Sequence, residues 1–204
     1  MNKTVSGNYF TSIIEFSKID STNNYMKENF MSLPNFSVVR ADYQTMGRGQ
    51  FTRTWESNEG ENLLMSILLK DDLHFEYMDY INPIIIASLT DTLKEYGIAS
   101  VFKYPNDIYV NGKKICGVLV ETSIVNNQLN YIVVGIGLNV NQAEFENQNA
   151  TSIRKLTTKK VVLKDVMNSL LNQINHHINL ALTGHYEKIT ETYKTTYNKK
   201  NFNV

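Results

Sequence analysis

Only four arginines occur in the 204 residues, at positions 40, 48, 53 and 154, and two of them fall within Gly47-Arg48-Gly49-Gln50-Phe51-Thr52-Arg53-Thr54-Trp55. Glycines on either side of a guanidinium let the backbone approach a ligand, and the planar fork suits a carboxylate or phosphate. The segment has neither the G-x-x-x-x-G-K-[ST] spacing of a P-loop nor G-x-G-x-x-G, so a nucleotide bound here needs another fold. A bland polar loop with surface arginines accounts for the same residues equally well. Trp55, the lone tryptophan, fits either a core anchor or a stacking face for an adenine. Lys103-Tyr104-Pro105-Asn106-Asp107 gathers an ammonium, an amide and a carboxylate around a proline, as a simple turn or as polar groups aimed at one place. Lys114 enters a strand among apolar neighbours, able to aim its charge into a cleft floored by Gly117 or out at solvent. Gly135-Ile136-Gly137-Leu138-Asn139-Val140-Asn141 ends an apolar run, where glycine marks either a bulge or close approach by a ligand or another backbone.

Those residues need a frame. Ile13 to Ile19 alternates like a half-buried strand, and Ser21-Thr22 can cap a helix running through Tyr25, Met26 and Phe30. Val38 to Ala41 and Leu63 to Leu69 read as strands, separated by the polar stretch Asp42 to Glu61, whose length marks a functional or disordered loop. Tyr77 to Tyr96 has helical spacing and stops at Gly97. Val101 to Tyr104 and Ile108 to Val110 are short strands, and Asn111-Gly112 between Val110 and the apolar run Ile115 to Val120 is a hairpin signal. Leu129 to Leu138 is a further strand, and Leu163 to Leu182 an amphipathic helix ended by Gly184, with room for a shorter helix after it. Runs of strands with helices on one side predict an α+β fold built on a mixed or largely antiparallel sheet.

Composition narrows the partners. A chain that is 42% hydrophobic, without repeats or linkers, can bury one core as one domain. The single cysteine, Cys116, excludes a disulfide framework within the chain, and no Cys/His cluster has zinc spacing, which fits the cytoplasm. Residues 1–12 do not read as a signal peptide, and no stretch approaches the roughly 18 apolar residues of a membrane span. Lys plus Arg and Asp plus Glu are 20 each, which argues against nucleic acid and towards small molecules or proteins. His74, His176, His177 and His185 show no partner spacing and read as surface residues.

The order and spacing of the segments carry more than any one of them. Ser21-Thr22-Asn23, Gln44-Thr45-Met46-Gly47-Arg48-Gly49, Lys103-Tyr104-Pro105-Asn106-Asp107, Lys113-Lys114-Ile115-Cys116-Gly117-Val118-Leu119-Val120-Glu121 and Gly135-Ile136-Gly137-Leu138-Asn139-Val140-Asn141 together resemble the biotin-protein ligases, over about Ile13 to Leu182. The resemblance implies a mixed sheet backed by helices, like that of the class II aminoacyl-tRNA synthetases. It also implies ATP-dependent activation of biotin to biotinyl-AMP, then transfer to a lysine of a biotin carboxyl carrier protein.

Residue by residue, the resemblance implies that Ser21, Thr22 and Gln44 hydrogen-bond biotin's ureido ring, with Asn23, Gly47, Gly49, Gln50 and Gly117 completing the biotin site. Arg48 and Lys114 are the implied catalytic residues, shared between biotin and adenylate. Arg53, Trp55, Lys103, Asn106, Asp107 and Asn139 fall to the ATP side. Mg2+ is expected on substrate oxygens and water rather than in a protein cage. Tyr104 stands where the family often has tryptophan, and Gln50 where many members have arginine.

Fixed cations at Arg48 and Lys114 suit this reaction, because biotin's carboxylate must approach an anionic phosphorus. A lipoate-protein ligase is the nearest alternative, against which stands the absence of an R-R-x-G-G-G loop. The other is a non-enzymatic regulator binding biotinyl-AMP; about twelve residues precede Ile13, too few for a winged helix. Residues 1–204 are thus expected to form one catalytic domain, with the family's usual C-terminal SH3-like barrel absent or truncated, as a monomer or weak homodimer.

Overall fold

A computed structural model of the chain describes residues 8–51, 53–70, 78–189 and 193. Along the chain run β1 (Ile13–Ile19), α1 (Thr22–Asn29), β2 (Val38–Gln44), β3 (Asn62–Leu69), α2 (Met78–Glu95), β4 (Val101–Lys103), β5 (Asp107–Val110), β6 (Lys113–Val125), β7 (Gln128–Asn139), α3 (Ile153–Thr157) and α4 (Leu163–Leu182). The strands form a seven-stranded sheet in the order β1-β2-β3-β7-β6-β5-β4. Only β1 and β2 pair in parallel, joined through the α1 crossover; the other neighbours are antiparallel. The expected α+β architecture with a mixed, largely antiparallel sheet is the one found.

Central β3 is buried at every residue, whereas edge strand β1 alternates exposed and half-buried positions. Asn111 (φ 50°) and Gly112 (φ 75°) close the β5–β6 hairpin in the left-handed conformation that a two-residue turn of this hand demands. Asn126 (φ 51°) and Asn127 (φ 60°) do the same for the long β6–β7 hairpin.

Side chains alternate across a sheet, so each strand serves two faces. On one face, Met65, Ile67, Val134, Ile136 and Leu138 meet Ile86, Leu89 and Leu93 of α2 and Val166, Leu170 and Ile174 of α4 in the main core. On the other, Met26 of α1 packs against Val39, Leu68 and Val133. Helices on one side only was therefore incorrect: α1 covers part of the second face, because the parallel β1–β2 crossover carries it there.

α4 has the predicted limits, and helix resumes at residues 186–189. Tyr77, the predicted start of the second helix, and His74 lie outside the described residues. The histidines are not uniformly on the surface: His177 is buried on α4 with Nε2 2.9 Å from Asp91 Oδ2 of α2. Short α3 went unpredicted; Ser152 caps it by accepting from Lys155 N at 3.1 Å. Among the described residues no helix is long and apolar enough to cross a membrane.

Candidate active site

The second face of the sheet is short of side chains beside α1. Gly117 of β6 lies opposite Gly137 of β7, and Leu119 opposite Gly135. Gly137 in turn faces Leu64 of β3, and Gly135 faces Ser66. A Cβ at Gly137 would stand 2.5 Å from Trp55 Cε2, one at Gly117 2.9 Å from Trp55 Cζ3, and one at Gly135 2.3 Å from Asn23 Oδ1. Side chains of the chain itself, rather than another backbone, therefore make the close approach that the glycines permit. Trp55 lies over the glycine floor and Asn23 fills the space above Gly135. The remaining cleft holds about 100 Å³, less than the roughly 300 Å³ at which small-molecule pockets begin. The indole takes up the missing room.

Hydroxyls and amides build the α1 end of the cleft. Ser21 caps α1, accepting from Asn24 N at 3.4 Å. Gln44 Oε1 accepts from Thr22 N at 2.7 Å and lies 3.0 Å from Thr22 Oγ1. Ser66 Oγ lies 2.7 Å from Thr22 Oγ1 and 2.5 Å from Asn23 Oδ1. Asn23 Oδ1 can only accept, so the single Ser66 proton belongs there, and the Thr22 hydroxyl proton then donates to Ser66 Oγ. Asn23 Nδ2 donates onward to Glu121 Oε2 at 2.8 Å.

Charges gather at the other end and the rim. In a regular strand Lys114 and Gly117 would face opposite sides. A register shift between Ile108 and Tyr109 pairs Tyr109 with Lys114 and Ile108 with Cys116, leaving Ile115 as a bulge residue. Ile115 and Cys116 are then both buried in the main core, and Lys114 shares the face of Gly117. Its Nζ is 2.6 Å from Asp107 Oδ1 and 5.4 Å from the Trp55 ring centroid. Asn106 donates to Val118 O at 2.8 Å and so fixes the cleft wall. Burial pushes the Cys116 thiol up, which keeps it protonated and unsuited to nucleophilic work.

The arginine loop is more ordered than its polar composition predicts. β2 runs on to Gln44, and an isolated bridge pairs Arg48 with Thr54. Gly49 N donates to Arg53 O at 2.8 Å and Trp55 N to Gly47 O at 3.0 Å. A Cβ at Gly47 would sit 2.7 Å from Trp55 O, so this tight return of the chain needs glycine there. Thr52 lies outside the described residues. Arg48 Nη2 is 2.6 Å from Glu121 Oε1, which Lys27 Nζ also meets at 2.9 Å. Burial opposes ionisation of Glu121, but hydrogen bonds from Asn23 and Lys27 and the charges of Lys27 and Arg48 outweigh it and hold the carboxyl below its usual range.

Ser21, Thr22, Asn23, Gln44, Arg48, Gly49, Gln50, Arg53, Trp55, Asn106, Asp107, Lys114 and Gly117 thus line one cleft. Gly47, Lys103 and Asn139 do not line it. Gly47 supports the loop from behind, Lys103 lies over the Tyr109 ring at 4.9 Å, and Asn139 is buried with Nδ2 on Thr151 O at 3.0 Å. Sequence reasoning offered Gly135 and Gly137 as a bulge or a point of close approach and gave no role to Ser66, Lys27 or Glu121. Ser66 had a signal, a lone hydroxyl inside the apolar run Leu63 to Leu69.

This sheet order, with a glycine-floored cleft lined by Arg48, Arg53 and Lys114, is the α+β mixed-sheet class that the resemblance implied. Residues 15–139 match the model of the biotin/lipoate A/B protein ligase family, and the chain belongs to that family. The bifunctional ligase/repressor BirA of Bacillus subtilis is 33% identical over 144 residues, 68% of this chain and 44% of that protein. The chain thus spans less than half of that relative's length. Biotin protein ligase from Aquifex aeolicus, solved in complex with biotin and ATP, superposes with a TM-score of 0.71 at 31% identity, covering 84% of this chain and 72% of that one. The biotin protein ligase of Leishmania major, solved with biotinyl-5-AMP, shares the fold at a TM-score of 0.77 and 23% identity, over 95% of this chain and 84% of that one.

Proposed function

We propose that this protein activates biotin with ATP to biotinyl-5′-AMP and transfers the biotinyl group to a specific lysine of a biotin carboxyl carrier protein, as a cytoplasmic ligase. One observation carries the reading: neutral hydrogen-bonding groups at Thr22 and Gln44 and cations at Arg48 and Lys114 border a single glycine floor. The neutral end suits the ureido ring of biotin, an uncharged group with N–H and C=O to satisfy. The cationic end suits a carboxylate meeting a phosphate. The biotin complexes of the Aquifex and Leishmania proteins support the same ligand.

In the first step a carboxylate oxygen forms a bond to the α-phosphorus of ATP, and the bond to pyrophosphate breaks. Negative charge concentrates between the reactants there, so Arg48 and Lys114 stabilise the transition state more than the separated substrates. Asp107 pairs with Lys114 and compensates its charge. Among the described residues no three His, Cys, Asp or Glu side chains gather as a metal cage would need. Mg2+ held through substrate oxygens and water would supply further charge neutralisation. In the second step the carrier's uncharged amine attacks the biotinyl carbonyl carbon, AMP departs and the amine's proton passes to solvent. No protein nucleophile is required.

Biotin- and Mg2+-dependent exchange of labelled pyrophosphate into ATP is the expected result. Lipoate or octanoate supporting exchange at an equal or higher rate would move the chain to the lipoate branch of its family.

A further inference from the structure

Glu121 takes no part in the chemistry just derived, yet its carboxylate gathers three donors. Lys27 Nζ at 2.9 Å and Arg48 Nη2 at 2.6 Å share Oε1, and Asn23 Nδ2 binds Oε2 at 2.8 Å. Lys27 and Asn23 belong to α1, whereas Arg48 belongs to the glycine-flanked loop. The guanidinium is engaged at the rim, its Nη1 also donating to Asn24 Oδ1 at 3.3 Å. A guanidinium fork held by one carboxylate cannot offer the same N–H groups to a second anion. Glu121 and the anionic part of a ligand compete for Arg48.

The pair is built to open. Stranding a buried charge is costly, but when Arg48 leaves, Glu121 keeps Lys27 and Asn23. Asn23 is itself fixed, with Oδ1 on Ser66 and its side chain over Gly135, where any side chain would collide with it. Arg48 leaves little behind either: its side chain is 43% exposed, against 22% for Glu121. One half of the pair is rigid and the other is on a loop.

We infer that Glu121 is a positioning residue that anchors Arg48 at the rim of the cleft and yields it to an anionic ligand. The loop then closes by exchanging one anion for another rather than by ordering a free arginine. The ligand in this inference rests on the biotin reading above; the resting anchor does not.

Hydrogen exchange of residues 47–55 in the ligand-free full chain tests the anchor alone. Glu121→Gln, which removes the charge and keeps a single carbonyl acceptor, should speed exchange there by up to about five-fold, as a partly exposed ion pair allows. Lys27→Gln, which leaves Arg48 its partner, should not. Unchanged exchange in Glu121→Gln, or equal acceleration in both variants, would overturn the anchor. Calorimetric titration with biotin tests the competition. Glu121→Gln should tighten binding about two- to five-fold, and the gain should vanish when Arg48→Ala is added. Weaker binding in Glu121→Gln, or the same gain without Arg48, would overturn it. Absence of biotin binding in the unmodified chain would instead sink the biotin reading and leave the anchor to stand or fall on exchange.

Discussion

The two faces of strands β3, β6 and β7 are made from alternate residues of the same sequence and could hardly differ more. Towards α2 and α4 the strands present Met65, Ile67, Val118, Val134, Ile136 and Leu138, all buried. Towards α1 and the cleft they present Ser66, Gly117, Gly135 and Gly137. The first face is filled with aliphatic carbon; the second keeps a gap that Asn23 and Trp55 only partly occupy. Most of the aliphatic packing and the cleft are thereby assigned to opposite parities of one strand, with Leu68 and Val133 under α1 the part of the core that shares the cleft's face.

The largest effect that would break this division is expected from Lys114→Ala. Adenylation should fall ~100- to 1000-fold, as for loss of one preorganised electrostatic donor, while the denaturant midpoint stays close to that of the unmodified chain. Pyrophosphate exchange beside urea unfolding checks both halves; near-normal exchange would remove Lys114 from the reacting centre. Leu89→Ala is the mirror experiment. That side chain is fully buried under the sheet, and its truncation should cost about 2–5 kcal/mol without changing exchange per folded molecule. A smaller loss, about 1–3 kcal/mol, is expected for Ser66→Ala, which strands Asn23 Oδ1. This variant crosses the division, since Asn23 orients Glu121, so calorimetry should register it as well as urea.

The smallest effect concerns acid. The folded pKa of Glu121 lies below its unfolded value, so the ionised carboxylate contributes stability above the ordinary carboxylate range. That contribution is lost as pH falls through the depressed folded value. Glu121→Gln should therefore flatten the acid limb of the stability profile and leave the Leu89→Ala increment unchanged at every pH. An unaltered acid limb would contradict the charge cluster.

The filled face was readable from sequence because its signals are local. The limits of α4 and the Asn111-Gly112 turn follow from periodicity and turn chemistry within a few residues. α3, at five residues, is too short to show a period. The cleft was readable where a motif carried it, as at Arg48 and Lys114. Even there, a spacing of three along a strand points Lys114 and Gly117 to opposite faces, and only the Ile115 bulge reconciles them. The anionic hub was not readable, because Glu121 meets Asn23 and Lys27 across 98 and 94 residues. His177 was misread for the same reason, its partner Asp91 being 86 residues away.

The placement of Trp55 has an optical consequence. It is the chain's only tryptophan, and its ring lies against Gly117 and Gly137 with the Lys114 ammonium 5.4 Å from its centroid. Intrinsic emission excited at the red edge of protein absorption therefore arises from one indole, in the cleft itself, beside a fixed positive charge. Any ligand that enters over the glycine floor must displace that ring or stack on it. Either event changes the ring's polarity and its distance from a quenching cation, so the chain reports occupancy of its own cleft without a label.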